Sequence, residues 1–133
     1  MDVKGMREIL FRGKRIDNGE WVEGYFVNLW LMHYQKHQPI ITDNNAVSYD
    51  VDPSTVGQYT GLCDKNGKKI FEGDIMAFTA YGFDYVGTVE FAYGSASVMC
   101  EHASPFLDQA VSKHGAYIIG NIHDNPELLN GAE

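Results

Sequence analysis

The run Gly57–Ile75, G-Q-Y-T-G-L-C-D-K-N-G-K-K-I-F-E-G-D-I, constrains the fold more than any other part of the chain. It places turn signals between short apolar pairs, and everything downstream reads as strands laid against it. Asn66-Gly67 is the strongest signal, because both residues tolerate positive φ and close tight hairpins at small steric cost. Gly73-Asp74 marks a second reversal, just ahead of Ile75-Met76-Ala77-Phe78. Asp64 and Asp74 are short acids suited to accepting backbone N–H bonds beside these turns. The run holds no nucleophile–base pair, no cluster of metal ligands and no glycine loop that could cradle a phosphate.

The flanking segments extend the same pattern. Ile9–Arg15 and Trp21–Val27, joined by Asp17-Asn18-Gly19-Glu20, read as a β-hairpin, with Ile9 and Phe11 on one face. In Asn28–His37 the block Leu29-Trp30-Leu31-Met32 is apolar on every side, so periodicity does not choose between strand and helical turn. Pro39 ends that segment, and Ile40-Ile41-Thr42 resumes an extended run. Val47, Tyr49 and Val51 alternate with polar residues until Asp52-Pro53 breaks the strand. Further strands fall at Ile75–Thr79, Tyr85–Phe91, Ala96–Cys100 and Tyr117–Ile122, with turns at Gly82 and Tyr93-Gly94. Ser104-Pro105 and Lys113-His114-Gly115 bracket one short helix near residues 105–113. Asp124-Asn125-Pro126-Glu127 starts a final turn that docks Leu128 and Leu129. Residues Met1–Gly5 look dispensable, and Met6 is a plausible alternative start.

Composition narrows the function classes. The chain of 133 residues is 13% aromatic and carries a formal net charge of −8. Six basic residues stand against eight acidic ones before Gly57, and four against ten from there on. Phosphate neutralisation dominates nucleic-acid affinity, so nucleic acid is an unfavoured partner for such a chain. The basic group Lys4, Arg7, Arg12, Lys14 and Arg15 reads first as a solvated strand edge. Cys63 and Cys100 have no C-x-x-C spacing, which argues against a thiolate zinc site, and both are expected unbridged, with Cys63 buried. No apolar run approaches the roughly 20 residues that cross a bilayer, and no apolar signal segment opens the chain, so a cytoplasmic location is expected.

Three stretches resemble the YopX-like proteins of phages and prophages. They are M-R-E-I-L-F-R-G-K (Met6–Lys14), T-V-G-Q-Y-T-G-L-C-D-K-N-G-K-K-I-F-E-G-D-I (Thr55–Ile75) and I-I-G-N-I-H-D-N-P-E-L-L (Ile118–Leu129), which together span the chain in order. The resemblance implies a mainly β protein. An N-terminal β subdomain, residues 6–57, would pack on a C-terminal SH3-like barrel, residues 58–130. The N-terminal part is too short to bury a core of its own, since burial becomes marginal below about 60 residues. The two parts are therefore expected to share a core, and a fragment starting at Thr55 to fold poorly. The resemblance brings no catalytic residues with it.

No residue set in the sequence has the spacing of a catalytic or metal site, so no enzyme activity, cofactor or metal is expected. His33 and His37 have i, i+4 spacing but no helical pattern around them. His123-Asp124 would point to opposite faces of a strand. Cys63 lacks a neighbouring base, and the many Tyr and Phe at strand positions read as core. Trp30, Met32 and Tyr34 are the candidate interaction residues, because Trp, Tyr and Met are enriched at interface centres. A core wedge and an interface are both open for that block. Asn66, Gly67, Gly73 and Asp74 are structural turn residues. The expectation is a non-enzymatic protein-interaction module whose partner is a host or phage protein or a second copy. The alternative is a nucleic-acid accessory protein of phage replication or regulation, kept open by Lys65, Lys68 and Lys69.

Overall fold

The computed structural model describes residues 8–130 and is mainly β, with two antiparallel sheets and two short helices. The expectations about residues 1–5 and a start at Met6 fall outside the described residues. The chain divides into two compact units, one ending at Tyr59 and the other beginning at Thr60.

The first unit starts with β1 (Phe11–Lys14) and β2 (Trp21–Leu31), paired antiparallel from Lys14↔Trp21 to Phe11↔Gly24. Ile9 lies before the strand and is exposed, so it does not share a buried face with Phe11. β2 continues for seven residues past β1 and pairs there with β3 (Lys36–Thr42), from Tyr25↔Thr42 to Leu31↔Lys36 without a register shift. Leu29–Leu31 of the ambiguous block is therefore strand, Met32 begins the turn at 32–35, and Pro39 sits inside β3 instead of ending the segment. The Pro39 carbonyl accepts the Val51 N–H at 3.1 Å, just past the end of β4 (Ser48–Asp50). That side of β3 needs no proline donor there, which is why the ring is tolerated. Asp52 caps the 3₁₀ turn Pro53–Thr55 by accepting the Ser54 N–H at 3.0 Å. Thr55 Oγ1 accepts the Lys14 N–H at 2.8 Å, which fixes that turn against β1. Ile41 and Val51 are fully buried.

β5 (Gly57–Cys63) begins in the first unit beside β1 and runs into the second, where it neighbours β6 (Lys69–Phe71). Between them Asp64 N–H donates to Lys68 O and Gly67 N–H to Asp64 O, both within 2.9 Å. Of the Asn66-Gly67 pair only Gly67 has positive φ, 82°, so the loop is longer than a two-residue hairpin. Open space surrounds the site of a Gly67 Cβ, so any penalty is conformational. Gly67→Val is expected to lower stability by about 1 kcal/mol or more. An unchanged denaturation midpoint would contradict that assignment.

β7 (Asp74–Ala80), β8 (Phe83–Ala92), β9 (Ser95–Met99) and β10 (Tyr117–Asn121) form a sheet in the order β10-β7-β8-β9. No closed barrel forms among the described residues. Ala103–Phe106 lies along the outer edge of β9, where Cys100 N–H donates to Ala103 O and Val98 N–H to Pro105 O. Helix α1 (Leu107–His114) then lays Leu107 and Ala110 onto a core of Ile70, Met76, Phe78, Val89 and Val98. The helix starts later than the Ser104-Pro105 signal, because those residues are held against β9, and Phe106 is its cap without a side-chain bond. Gly115 ends it in the left-handed conformation. The terminal segment is a second short helix, α2 (Glu127–Asn130), and not a simple turn.

Several aromatic side chains expected in the core are at the surface instead, among them Tyr25, Tyr81, Phe83 and Tyr93. Cys63 is also exposed, because the end of β5 runs out toward the 64–68 loop. Neither cysteine is in a disulfide, as expected.

Candidate interaction surface

Past Gly24, β2 pairs with β3, β4 flanks β3 along Ile40–Thr42, and from Asn28↔Pro39 outward β2 and β3 form a two-stranded arm. A two-stranded hairpin buries little by itself, so its side chains meet solvent on both faces. Side-chain alternation sorts them. Residues Tyr25, Val27, Leu29 and Leu31 share one face with Ile40 opposite Val27, and Tyr25 is 66% exposed. Phe26, Asn28 and Trp30 take the other face, which leads at its base to the buried Ile41.

The three candidate residues lie together at the tip. Trp30 is 49% exposed, Met32 81% and Tyr34 71%. Trp30 packs against His37, its cross-strand partner, with ring centroids 4.9 Å apart. His33 meets Tyr34 edge-on at 5.6 Å, and Lys36 Nζ lies 5.8 Å from the Tyr34 ring centroid. His33 and His37 thus stand on a turn and a strand, and both are engaged with aromatic rings. Sequence reasoning missed Tyr25 and Val27, whose signal was their alternation with Phe26 and Asn28. From Gly24 to Thr42 the chain carries no carboxylate, and its one formal charge is Lys36.

The turn residues sit elsewhere, in the second unit. Asp74 is buried and its Oδ2 accepts the Phe71 N–H at 2.8 Å, across the reversal that Gly73 makes with φ 93°. Asp64 is also buried. Oδ1 accepts the Asn66 and Lys68 N–H groups at 2.9 Å each, and Oδ2 accepts the Ile118 N–H of β10 at 3.0 Å. Burial pushes the Asp64 carboxyl up, but three N–H donors outweigh it and hold the pKa below the usual 3.8.

One concavity of about 530 Å³ lies in the second unit, lined by Phe83, Tyr85, Met99, Cys100, Glu101 and His102 among others. Burial raises the Cys100 pKa, opposite to the direction a thiolate nucleophile needs. Glu101 and His102 pair at 3.7 Å on the open surface. Among the described residues no group of three or more His, Cys, Asp or Glu is arranged to hold a metal ion. No helix among them is long and apolar enough to cross a membrane.

Of the basic group, Lys4 and Arg7 lie outside the described residues, and Arg12, Lys14 and Arg15 are engaged locally. Arg12 and Lys14 lie over the Trp21 ring at 4.8 and 5.5 Å, and Arg15 pairs with Asp17 through Nε and Nη2 at 2.9 and 2.6 Å. Lys65 sits 4.4 Å from the Tyr117 ring.

The family model described as YopX protein matches residues 10–130 of the chain. A similar solved structure is the crystal structure of protein EF1440 from Enterococcus faecalis, at 26% identity and a TM-score of 0.59. The match covers 92% of this chain and 99% of that one. Among curated proteins nothing matches.

Proposed function

The chain belongs to the YopX protein family, and from that premise we propose that it is a non-enzymatic protein-interaction module of a phage or prophage. It would act in the bacterial cytoplasm through the β2–β3 arm. The observation that carries this reading is the arm itself, an exposed run of Tyr25, Val27, Leu29, Trp30, Met32 and Tyr34 on a hairpin with little covering it. Contiguous apolar exposure of this kind marks protein contact surfaces, and Trp and Tyr are the residue types that dominate their energetics. Supporting the non-enzymatic part, Cys100 is tuned away from reactivity and the arm histidines are packed on aromatic rings. The reading keeps an SH3-like scaffold for the second unit. There the last strand, β10, lies beside β7, and β7, β8 and β9 follow as a meander. The nucleic-acid alternative is weaker, because Arg12, Lys14, Arg15 and Lys65 are already over aromatic rings or paired with Asp17.

Trp30→Ser tests the assignment. It removes a ring that is half exposed, so folding should survive with a loss of roughly 1–2 kcal/mol, visible as a modest fall in melting temperature. Capture of proteins from host lysate on the immobilised chain should drop strongly in the variant. Equal capture by both forms would remove the arm from the reading. Salt-sensitive binding of oligonucleotides, unaffected by Trp30→Ser, would favour the alternative.

A further inference from the structure

We propose a ligand site in the second unit, separate from the arm. The cavity lined by the β7–β8 hairpin and α1 binds a small planar aromatic molecule that carries an anionic group.

The cavity measures about 470 Å³, inside the range of roughly 300–1,000 Å³ typical of small-molecule sites. Part of its lining is a ladder of aromatic rings. Tyr85 stacks on Phe78 at 5.2 Å between centroids, His114 stacks on Phe78 at 5.8 Å, and Tyr81 meets His114 edge-on at 5.7 Å. Phe78 belongs to the buried core, which holds the ladder in place, and Tyr81 is 78% exposed at the turn after β7. The helix supplies more of the lining. Phe106, Gln109 and Lys113 recur at i, i+3 and i+7, so they fall on one face of α1, and all three are exposed. Such rings favour a planar aromatic over an aliphatic chain, since stacking adds to the burial of area. The Ser104 hydroxyl and the Gln109 amide add hydrogen-bonding groups beside them.

Charge selects the ligand. After Lys69 the sequence holds nine Asp and Glu but a single Lys or Arg, which is Lys113. That one cation lines the cavity, and no carboxylate among the described residues does. A lysine in the last turn of a helix also offsets the helix dipole. The dipole accounts for the lysine and leaves the exclusion of every carboxylate unexplained. Among the described residues Lys113 has no ion pair, so its ammonium is available to an incoming anion. On a chain of net charge −8 most of the surface repels anions, and this aromatic cavity is a place where one is attracted.

Amide NMR titration of the full chain tests the site, with naphthoate and adenosine monophosphate as probes. They present the same chemistry from two sources, a carboxylate and a phosphate. At least one should bind saturably with Kd below about 1 mM and shift the amides of Tyr81, Phe106, Gln109 and Lys113. Tighter binding of the nucleotide would assign the anion as a phosphate, and tighter binding of naphthoate as a carboxylate. Naphthyl methanol and adenosine lack the anion and should bind at least about tenfold more weakly. Lys113→Glu and Phe106→Ala alter exposed side chains, so both variants should keep the natural spectrum away from the cavity. Lys113→Glu should weaken the anionic probes at least about tenfold, and Phe106→Ala should weaken charged and neutral probes alike. No binding of either anion at about 5 mM would overturn the proposal. So would neutral analogues that bind as tightly, shifts confined to another surface, or full affinity in Lys113→Glu. None of these outcomes touches the reading of the arm, whose residues lie outside the cavity.

Discussion

Asp64→Ala is expected to lower stability by about 3 kcal/mol, the first of two large effects. The carboxylate answers three backbone N–H groups at once, two within the 64–68 loop and one from Ile118, 54 residues away. Alanine keeps the backbone and leaves all three donors without this acceptor at a part-buried place. Each unanswered group there costs about 1 kcal/mol, the low end of the usual range, since water reaches part of the loop. Asp64→Asn should cost nearly as much. An amide oxygen still accepts, but the NH₂ group replaces one acceptor with a donor facing a donor. Chemical denaturation of both variants against the natural chain checks this, and a loss within about 0.5 kcal/mol would mean the bonds to Asp64 are not made.

The same carboxylate sets a pH dependence. Its folded pKa lies below 3.8 because the N–H donors outweigh the upward push of burial. A depressed folded value means the unfolded chain binds the proton more tightly. The stabilisation is then fully present above the unfolded pKa and is lost as pH falls through the folded one. The melting temperature of the natural chain should fall below about pH 4, and Asp64→Ala should flatten that part of the profile.

Much of this region was legible from residue order. Asn66-Gly67, Gly73-Asp74, Gly82 and Gly94 are local signals, and the positive φ angles at those four glycines follow from local sterics. The gap concerns what comes from far away. Nothing near Asp64 in sequence announces Ile118 as a partner, so its anchoring role across the second unit was invisible. The helix start shifted for a similar reason. Ser104-Pro105 has the local chemistry of a cap, but β9 claims the backbone of Ala103–Phe106 first.

The arm shows the opposite failure. Leu29-Trp30-Leu31-Met32 has no periodicity, since a two-stranded hairpin exposes both faces and no side needs to be polar for burial. Its exposure is a property of where β1 ends, at Phe11↔Gly24, and strand ends are the least readable feature of a sequence. One readable clue was passed over. A lone glycine inside a strand marks a close approach of another backbone, and Gly24 stands inside Trp21–Val27.

Gly24→Ala should therefore be the most damaging small substitution in the first unit, at about 3 kcal/mol or more. A Cβ at Gly24 would lie 2.0 Å from Thr42 O, 2.7 Å from Thr42 C and 3.1 Å from Asp43 Cα. All three are backbone atoms, so no side chain can rotate away. Either β3 leaves β2 or β2 twists off β1, and Gly24 is the residue at which β2 passes from one partner to the other. Alanine also narrows the unfolded ensemble, which favours folding by about 0.4–1 kcal/mol, but that gain is smaller than the clash. Gly19→Ala is the matched comparison. Gly19 has φ 72° and open space around its Cβ position, so it should lose only about 1 kcal/mol through conformation. Denaturation midpoints should rank Gly24→Ala well below Gly19→Ala. If Gly24→Ala instead melts like the natural chain, the Thr42 carbonyl is not against β2, and the arm described here is not the arm in solution.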